Sequence, residues 1–158
     1  MRRRTAGCRA TALVALAALV GPTAGAAQAP AAAAAAASAE TDSVRIGCSG
    51  GNTGLGLGNT ITRGGQLAAY TKPLREAAAH TPLRRDSAAA TAVFAALERM
   101  RFRAFRFSKI GNMTCYLELT DSQGEHEVNW IRGQPPPELA PVLDALRGAF
   151  GDDRRMWP

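Results

Sequence analysis

Between Met113 and Ile131 apolar and polar side chains alternate on both sides of one turn signal, Asp121-Ser-Gln-Gly124. Period-two alternation around an Asp-x-x-Gly turn specifies a β-hairpin with one buried face. Its register can be argued too. With Thr120 opposite Glu125, Leu119 meets His126, Leu117 meets Val128 and Cys115 meets Trp130, so one face carries the apolar side chains. A slip of one residue would set Leu117 against Asn129 and Leu119 against Glu127, mixing the two faces. The hairpin is a scaffold and carries no evident chemistry.

At the N-terminus, Arg2, Arg3 and Arg4 precede an apolar run from Ala10 to Val20, followed by Gly21-Pro22 and small residues. This is the three-part layout of a secretory signal peptide. The run is shorter than the roughly 20 apolar residues that span a bilayer. Cleavage after Ala26 makes residues 1–26 the signal, and Ala39 is a second candidate. An uncleaved N-terminal anchor is the alternative. Cys8 precedes the apolar run, so it is not placed as the lipid-bearing cysteine of a lipoprotein. Residues 27–43 read as an Ala/Pro-rich linker outside the fold. The expectation is an exported protein, periplasmic or extracellular, with no membrane span after cleavage.

Export changes the charge argument. The formal net charge is +6, but four of the 19 Lys and Arg residues (Arg2, Arg3, Arg4, Arg9) precede Ala39. The remaining 15 face 13 acidic residues, leaving +2. A nucleic-acid partner is therefore not expected. Two cysteines also remain, Cys48 and Cys115. An even pair in an exported chain points to one disulfide. The alternative is a nucleophilic thiolate with His80 or His126 as its base, which requires a free cysteine.

The chain after Ala39 is long enough for one domain, placed at residues 44–150, with a loose tail over 151–158. Val44 to Cys48 reads as a strand. The glycine-rich run Ser49 to Gly58 lacks the spacing of a dinucleotide fingerprint, and no Gly-Lys-Ser/Thr follows for a P-loop. Its glycines suit a bulged strand or a binding loop. Thr60 to Thr71 reads as a second hairpin about Gly64-Gly65, and Lys72 to Arg85, with prolines at 73 and 82, as one helical turn or an irregular connection. Asp86 suits an N-cap, and Ala90, Val93, Phe94, Leu97 and Met100 form a helical stripe. Arg101 to Phe107 reads as a strand with phenylalanines inward and arginines solvated. Its other reading is a surface on which arginines and aromatics hold a polyanion. Gly133 to Pro137 excludes helix and central strand. Leu139, Val142, Leu143, Leu146 and Phe150 then recur at helical spacing.

Motifs of catalysis are scarce. His126-Glu127 has no second histidine at zinc-protease spacing, and no Gly-x-Ser-x-Gly elbow occurs. Asp121 with Glu125, and Glu118 with Glu127, are carboxylate pairs of the kind glycosidases use, but they fall at a turn and on an open strand face, where solvated charge is the simpler reading. No catalytic residue, metal site or cofactor is expected, and the protein is read as a non-enzyme.

The order of features resembles a family. Gly50-Gly51-Asn52-Thr53-Gly54 follows the first strand, a helix ends near Phe102, and a Tyr-x-Leu hairpin runs from Tyr116 to Gly124. A terminal helix then opens with Pro137-Glu-Leu-Ala-Pro-Val-Leu143. Together these resemble emfourin-type proteins, small bacterial inhibitors of thermolysin-like metalloproteases. Two features depart from that pattern: Asn52-Thr53 stands where the family often has Phe-Ala, and the cysteine pair is not general to it.

The expected architecture is α+β, an antiparallel sheet of about five strands with two helices on one face, stapled by Cys48 and Cys115. The resemblance implies an exported binding protein that inhibits a secreted or envelope metalloprotease. Gly50, Gly51, Asn52, Thr53, Gly54 and Leu55 are its candidate binding loop. The alternative is an envelope ligand- or polyanion-binding module using the basic face Arg101–Lys109.

Overall fold

A computed structural model describes residues 42–51, 54–73 and 75–151. Residues 1–41, which hold the expected signal peptide and all but the last two residues of the expected linker 27–43, and residues 152–158 lie outside the described residues. In chain order the elements are β1 (Ser43–Gly50), β2 (Gly56–Thr62), β3 (Gln66–Lys72), β4 (Ala79–Arg85), α1 (Ser87–Arg99), β5 (Met113–Asp121), β6 (Gly124–Ile131) and α2 (Ala140–Phe150). The strands form one antiparallel sheet in the order β4-β3-β2-β1-β5-β6. The class is α+β as expected, with six strands rather than about five.

The β5–β6 hairpin has the register that its alternation dictates: Thr120 faces Glu125, Leu119 faces His126, Leu117 faces Val128 and Cys115 faces Trp130. The Gly64-Gly65 hairpin also forms, closed by Gly65 N–H donating to the Thr62 carbonyl at 2.9 Å. Its tip positions the next element. Asp86 N–H donates to the Gly65 carbonyl at 2.8 Å, and the Asp86 side chain accepts from Ala89 N–H at 2.9 Å, capping α1.

Two sequence expectations are corrected. Residues 79–85 form the edge strand β4, where an irregular connection or a helical turn was expected. Pro82 is tolerated there because an edge strand leaves one side of its backbone unpaired. A register irregularity at Leu67/Ala68 accompanies it. The second correction is Arg101 to Phe107, expected as a strand. Arg101 turns left-handed (φ 53, ψ 50), and Phe102–Ala104 form one 3-10 turn. Phe102 still enters the core at 2 % exposure, while Phe105 and Phe107 are only half-buried. The segment then runs beside β6, where Ser108 bridges Asn129 in parallel and Lys109 N–H donates to the Asn129 carbonyl at 3.0 Å.

Both helices pack on one face of the sheet. Val44, Ile46, Leu117, Val128 and Trp130 from the strands share a single cluster with Val93, Phe94 and Leu97 of α1 and Val142, Leu143 and Leu146 of α2. Trp130 is fully buried, so its truncation to alanine would remove about 3–5 kcal/mol. No helix among the described residues is long and apolar enough to cross a membrane.

Strand β1 lies between β2 and β5, and its pairing with β5 sets Cys48 directly opposite Cys115. The two are joined by a disulfide with Cα atoms 3.9 Å apart across 67 positions of sequence. In the chain-entropy model a loop of that size contributes roughly 4 kcal/mol, by restricting the unfolded chain. Replacing both cysteines with alanine should lower the unfolding free energy by about that amount in a urea titration. The wild type in reductant should converge on the variant, and an unchanged urea midpoint would show that the bridge does not restrain the unfolded chain.

Candidate functional site

The glycine loop leaves the sheet at the disulfide end of β1. Gly50 pairs with Met113 two positions beyond the Cys48–Cys115 bridge, and its φ of 121° belongs to glycine. A Cβ there would stand 2.2 Å from the Asn112 carbonyl oxygen, so no other residue fits. Gly51 N–H donates to the same carbonyl at 2.8 Å, and Gly54 N–H reaches back to the Gly51 carbonyl at 3.4 Å. Gly51 is exposed, whereas Gly54 and Leu55 are half-buried. Asn52 and Thr53 lie outside the described residues. The loop is thus tied at its start to the segment that leads into β5.

Beside the loop, on the face of the sheet away from the helices, lies a cavity of ≈ 290 Å³ lined by Ser49, Gly54, Gly56, Tyr70, Lys72 and Tyr116. Two glycines pack close beside it. Gly47 and Gly58 face each other across β1 and β2. A Cβ on Gly58 would meet the Ile46 carbonyl at 2.2 Å, and one on Gly47 would lie 2.7 Å from the Tyr116 hydroxyl. The two glycines therefore let neighbouring backbones close up and leave room for the end of the Tyr116 side chain against β1.

Arg45 occupies the middle of this face. Its guanidinium carbon is 4.9 Å from the Tyr70 ring centroid and 5.9 Å from that of Tyr116, within cation–π range. It forms an ion pair with Glu118, its register partner on β5, and Thr120 donates to the other Glu118 oxygen at 3.4 Å. Burial opposes the charge on Arg45, but Glu118 outweighs it and holds its pKa above the ordinary arginine value. The His80 ring packs tilted against Tyr70, with centroids 5.2 Å apart. Burial, followed by the neighbouring Tyr70, pushes the Tyr116 phenol well above its ordinary pKa.

The catalytic arrangements that the sequence offered can be placed on this geometry. The nucleophilic-cysteine alternative does not assemble, because both sulfurs are in the disulfide. The two histidines are separated: His80 is on β4 against Tyr70, while His126 packs on Phe102 with Nε2 3.0 Å from the Phe105 carbonyl oxygen. Glu118 is engaged with Arg45 and Asp121 with Arg103, so neither glycosidase-like carboxylate pair is free. Among the described residues no group of three or more His, Cys, Asp or Glu side chains converges as metal ligands.

The Arg101–Lys109 segment does not present a continuous basic face. Arg103 Nε donates to Asp121 at 2.9 Å and its Nη2 to the Gly124 carbonyl at 2.5 Å, clamping the β5–β6 turn. Arg106 turns back on the Phe105 carbonyl at 3.0 Å. Sequence reasoning missed the Arg45–Tyr70–Tyr116–Glu118 cluster. Its only local signal was that Arg45, Tyr116 and Glu118 occupy the polar positions of alternating strands.

Together, the fold and this site define a small α+β domain whose two-faced sheet carries a pinned glycine loop at one end. Neither a family model nor a curated protein matches the chain.

Tyr116 offers a direct pH test of the open face. Its raised pKa means that the folded protein holds this proton more tightly than the unfolded chain does. The resulting stability is fully present below the ordinary tyrosine pKa of about 10 and is lost as pH rises through the folded value. An ultraviolet titration should show a tyrosinate phase that appears only with unfolding or well above pH about 10, and Tyr116→Phe should abolish it. A Tyr116-dependent phase centred near pH about 10 in the folded protein would show that Tyr116 is solvated.

Proposed function

We propose that the chain is an exported binding protein without catalysis of its own, and that it inhibits a thermolysin-like metalloprotease by presenting the Gly50–Leu55 loop. The observation that carries this reading is the double fastening of the loop's start, by the Gly51–Asn112 bond and by the disulfide two positions below. A glycine-rich loop left free would lose much conformational entropy on docking. Fixing its start during folding reduces that cost when a partner binds. In the adjoining cavity the half-buried Tyr116 supplies an aromatic contact, a residue type enriched at binding hot spots, backed by the buried Tyr70. The emfourin-type resemblance supplies the target class, and the disulfide suits an oxidising destination.

The alternative, a polyanion-binding module on Arg101–Lys109, has weaker support, because Arg103 is spent on Asp121 and the segment is not a strand.

The purified protein titrated into thermolysin should abolish hydrolysis of a peptide substrate in proportion to the amount added. Leu55→Asp should weaken that inhibition at least about tenfold while leaving the urea midpoint in place. Full protease activity at a micromolar excess of inhibitor would remove the reading.

A further inference from the structure

On the helix side of the sheet, between the end of α1 and β5, lies a second cavity, of ≈ 260 Å³. Phe94, Leu97, Phe102 and Leu119 line its apolar part, each at least nine-tenths buried. Three arginines, Arg63, Arg101 and Arg103, stand around it with the carboxylates of Glu98 and Asp121. Two of the arginines are already paired. Arg63 bonds Asp42 at 3.0 Å and Glu98 at 3.3 Å and covers one face of the Phe94 ring at 4.3 Å, and Arg103 bonds Asp121. Arg101 differs, for its side chain makes no hydrogen bond or ion pair among the described residues.

Its backbone is also unusual. Arg101 is the one non-glycine with positive φ among the described residues. It closes α1, its N–H bonding the Glu98 carbonyl at 3.0 Å, at a position where helices favour glycine because a Cβ is strained there. Arg101 thus combines an exposed side chain and a strained backbone beside an apolar hollow.

We infer that this cavity binds an apolar group bearing a carboxylate, with the body on Phe94, Leu97, Phe102 and Leu119 and the carboxylate on Arg101. Each part of the site restricts the ligand. The apolar lining excludes a bare hydrated anion, and the surplus guanidinium selects against a neutral hydrocarbon. Glu98 and Asp121 at the rim disfavour a doubly charged phosphate, whereas the planar guanidinium matches a carboxylate in bidentate fashion. The volume lies below the range usual for drug-sized ligands and suits one phenyl ring or short branched chain. A free aryl or alkyl acid and the carboxyl terminus of a peptide share this chemistry.

Calorimetric titration of the whole protein tests the site with three probes: hydrocinnamate, its neutral amide, and an acetylated tripeptide ending in phenylalanine. Hydrocinnamate should bind with a dissociation constant of about 1 mM or tighter, and the amide at least about tenfold more weakly. Tighter binding of the tripeptide assigns the site to a peptide terminus, and tighter binding of the acid to a free acid. Arg101→Gly should weaken the acid to the level of the amide while raising the melting temperature by roughly a few degrees, because the left-handed strain is relieved. Arg101→Gln keeps the strain and loses the charge, so it should lose binding with little change in melting temperature. Equal binding of acid and amide, no binding of either carboxylate at about 10 mM, or full affinity in both variants would overturn the inference.

Discussion

The pairing of β1 with β5 is the constraint on which the rest of this molecule depends. Every other ladder in the sheet joins strands that follow one another in sequence, so each closes through a short connection. The β1–β5 ladder instead joins the four-stranded N-terminal part to the C-terminal hairpin, across a stretch of chain that includes α1. Bringing such distant segments together costs loop-closure entropy before any contact offsets it. The Cys48–Cys115 bridge lies on this seam and removes part of that cost from the unfolded side. A contribution of roughly 4 kcal/mol is a large share of a domain stability of about 5–15 kcal/mol.

Register on that seam is fixed from both faces. On the helix side Val44, Ile46 and Cys48 meet Leu119, Leu117 and Cys115, and on the open side Arg45 meets Glu118 and Gly47 meets Tyr116. A slip of one residue would set Arg45 against a leucine destined for the core, and Glu118 against Val44 or Ile46. The ion pair then contributes chiefly as a penalty on wrong pairings, since in the native register its attraction is offset by the desolvation of Glu118. The open-face cluster and the apolar core are thus two readings of one ladder, and the geometry of the first depends on the second.

The parts of the fold legible in the sequence are those specified by local pattern. The β5–β6 register followed from alternation on both strands around a turn, and α1 from a capping aspartate ahead of an apolar stripe. β4 was illegible because every one of its residues is exposed, so an edge strand leaves no apolar periodicity to read. Arg101 to Phe107 misled because alternating arginine and phenylalanine mimics a half-buried strand, while the left-handed turn at Arg101 has no sequence signature when the residue is not glycine. For the site, the glycine loop stood out by composition, whereas the Arg45–Glu118 and Gly47–Tyr116 pairs required knowing which distant strands are neighbours. Nothing in the spacing of residues 45, 70, 116 and 118 reports that proximity.

Strand β5 serves both surfaces. Tyr116 and Glu118 project to the open face, while Leu119 and Asp121 belong to the apolar cavity beneath α1 and its rim. Coupling between occupants of the two faces would need an element with two arrangements that both occupants bias. β5 is a poor candidate for that role. It is hydrogen-bonded on both edges, covalently joined to β1 at Cys115 and held at its end by Arg103 through Asp121. A ligand on Arg101 therefore has little leverage on the glycine loop through the sheet. The 3-10 turn that follows Arg101 is held as well, by Phe102 in the core and by Arg103 on Asp121 and the Gly124 carbonyl, so the end of α1 is anchored to the same strand.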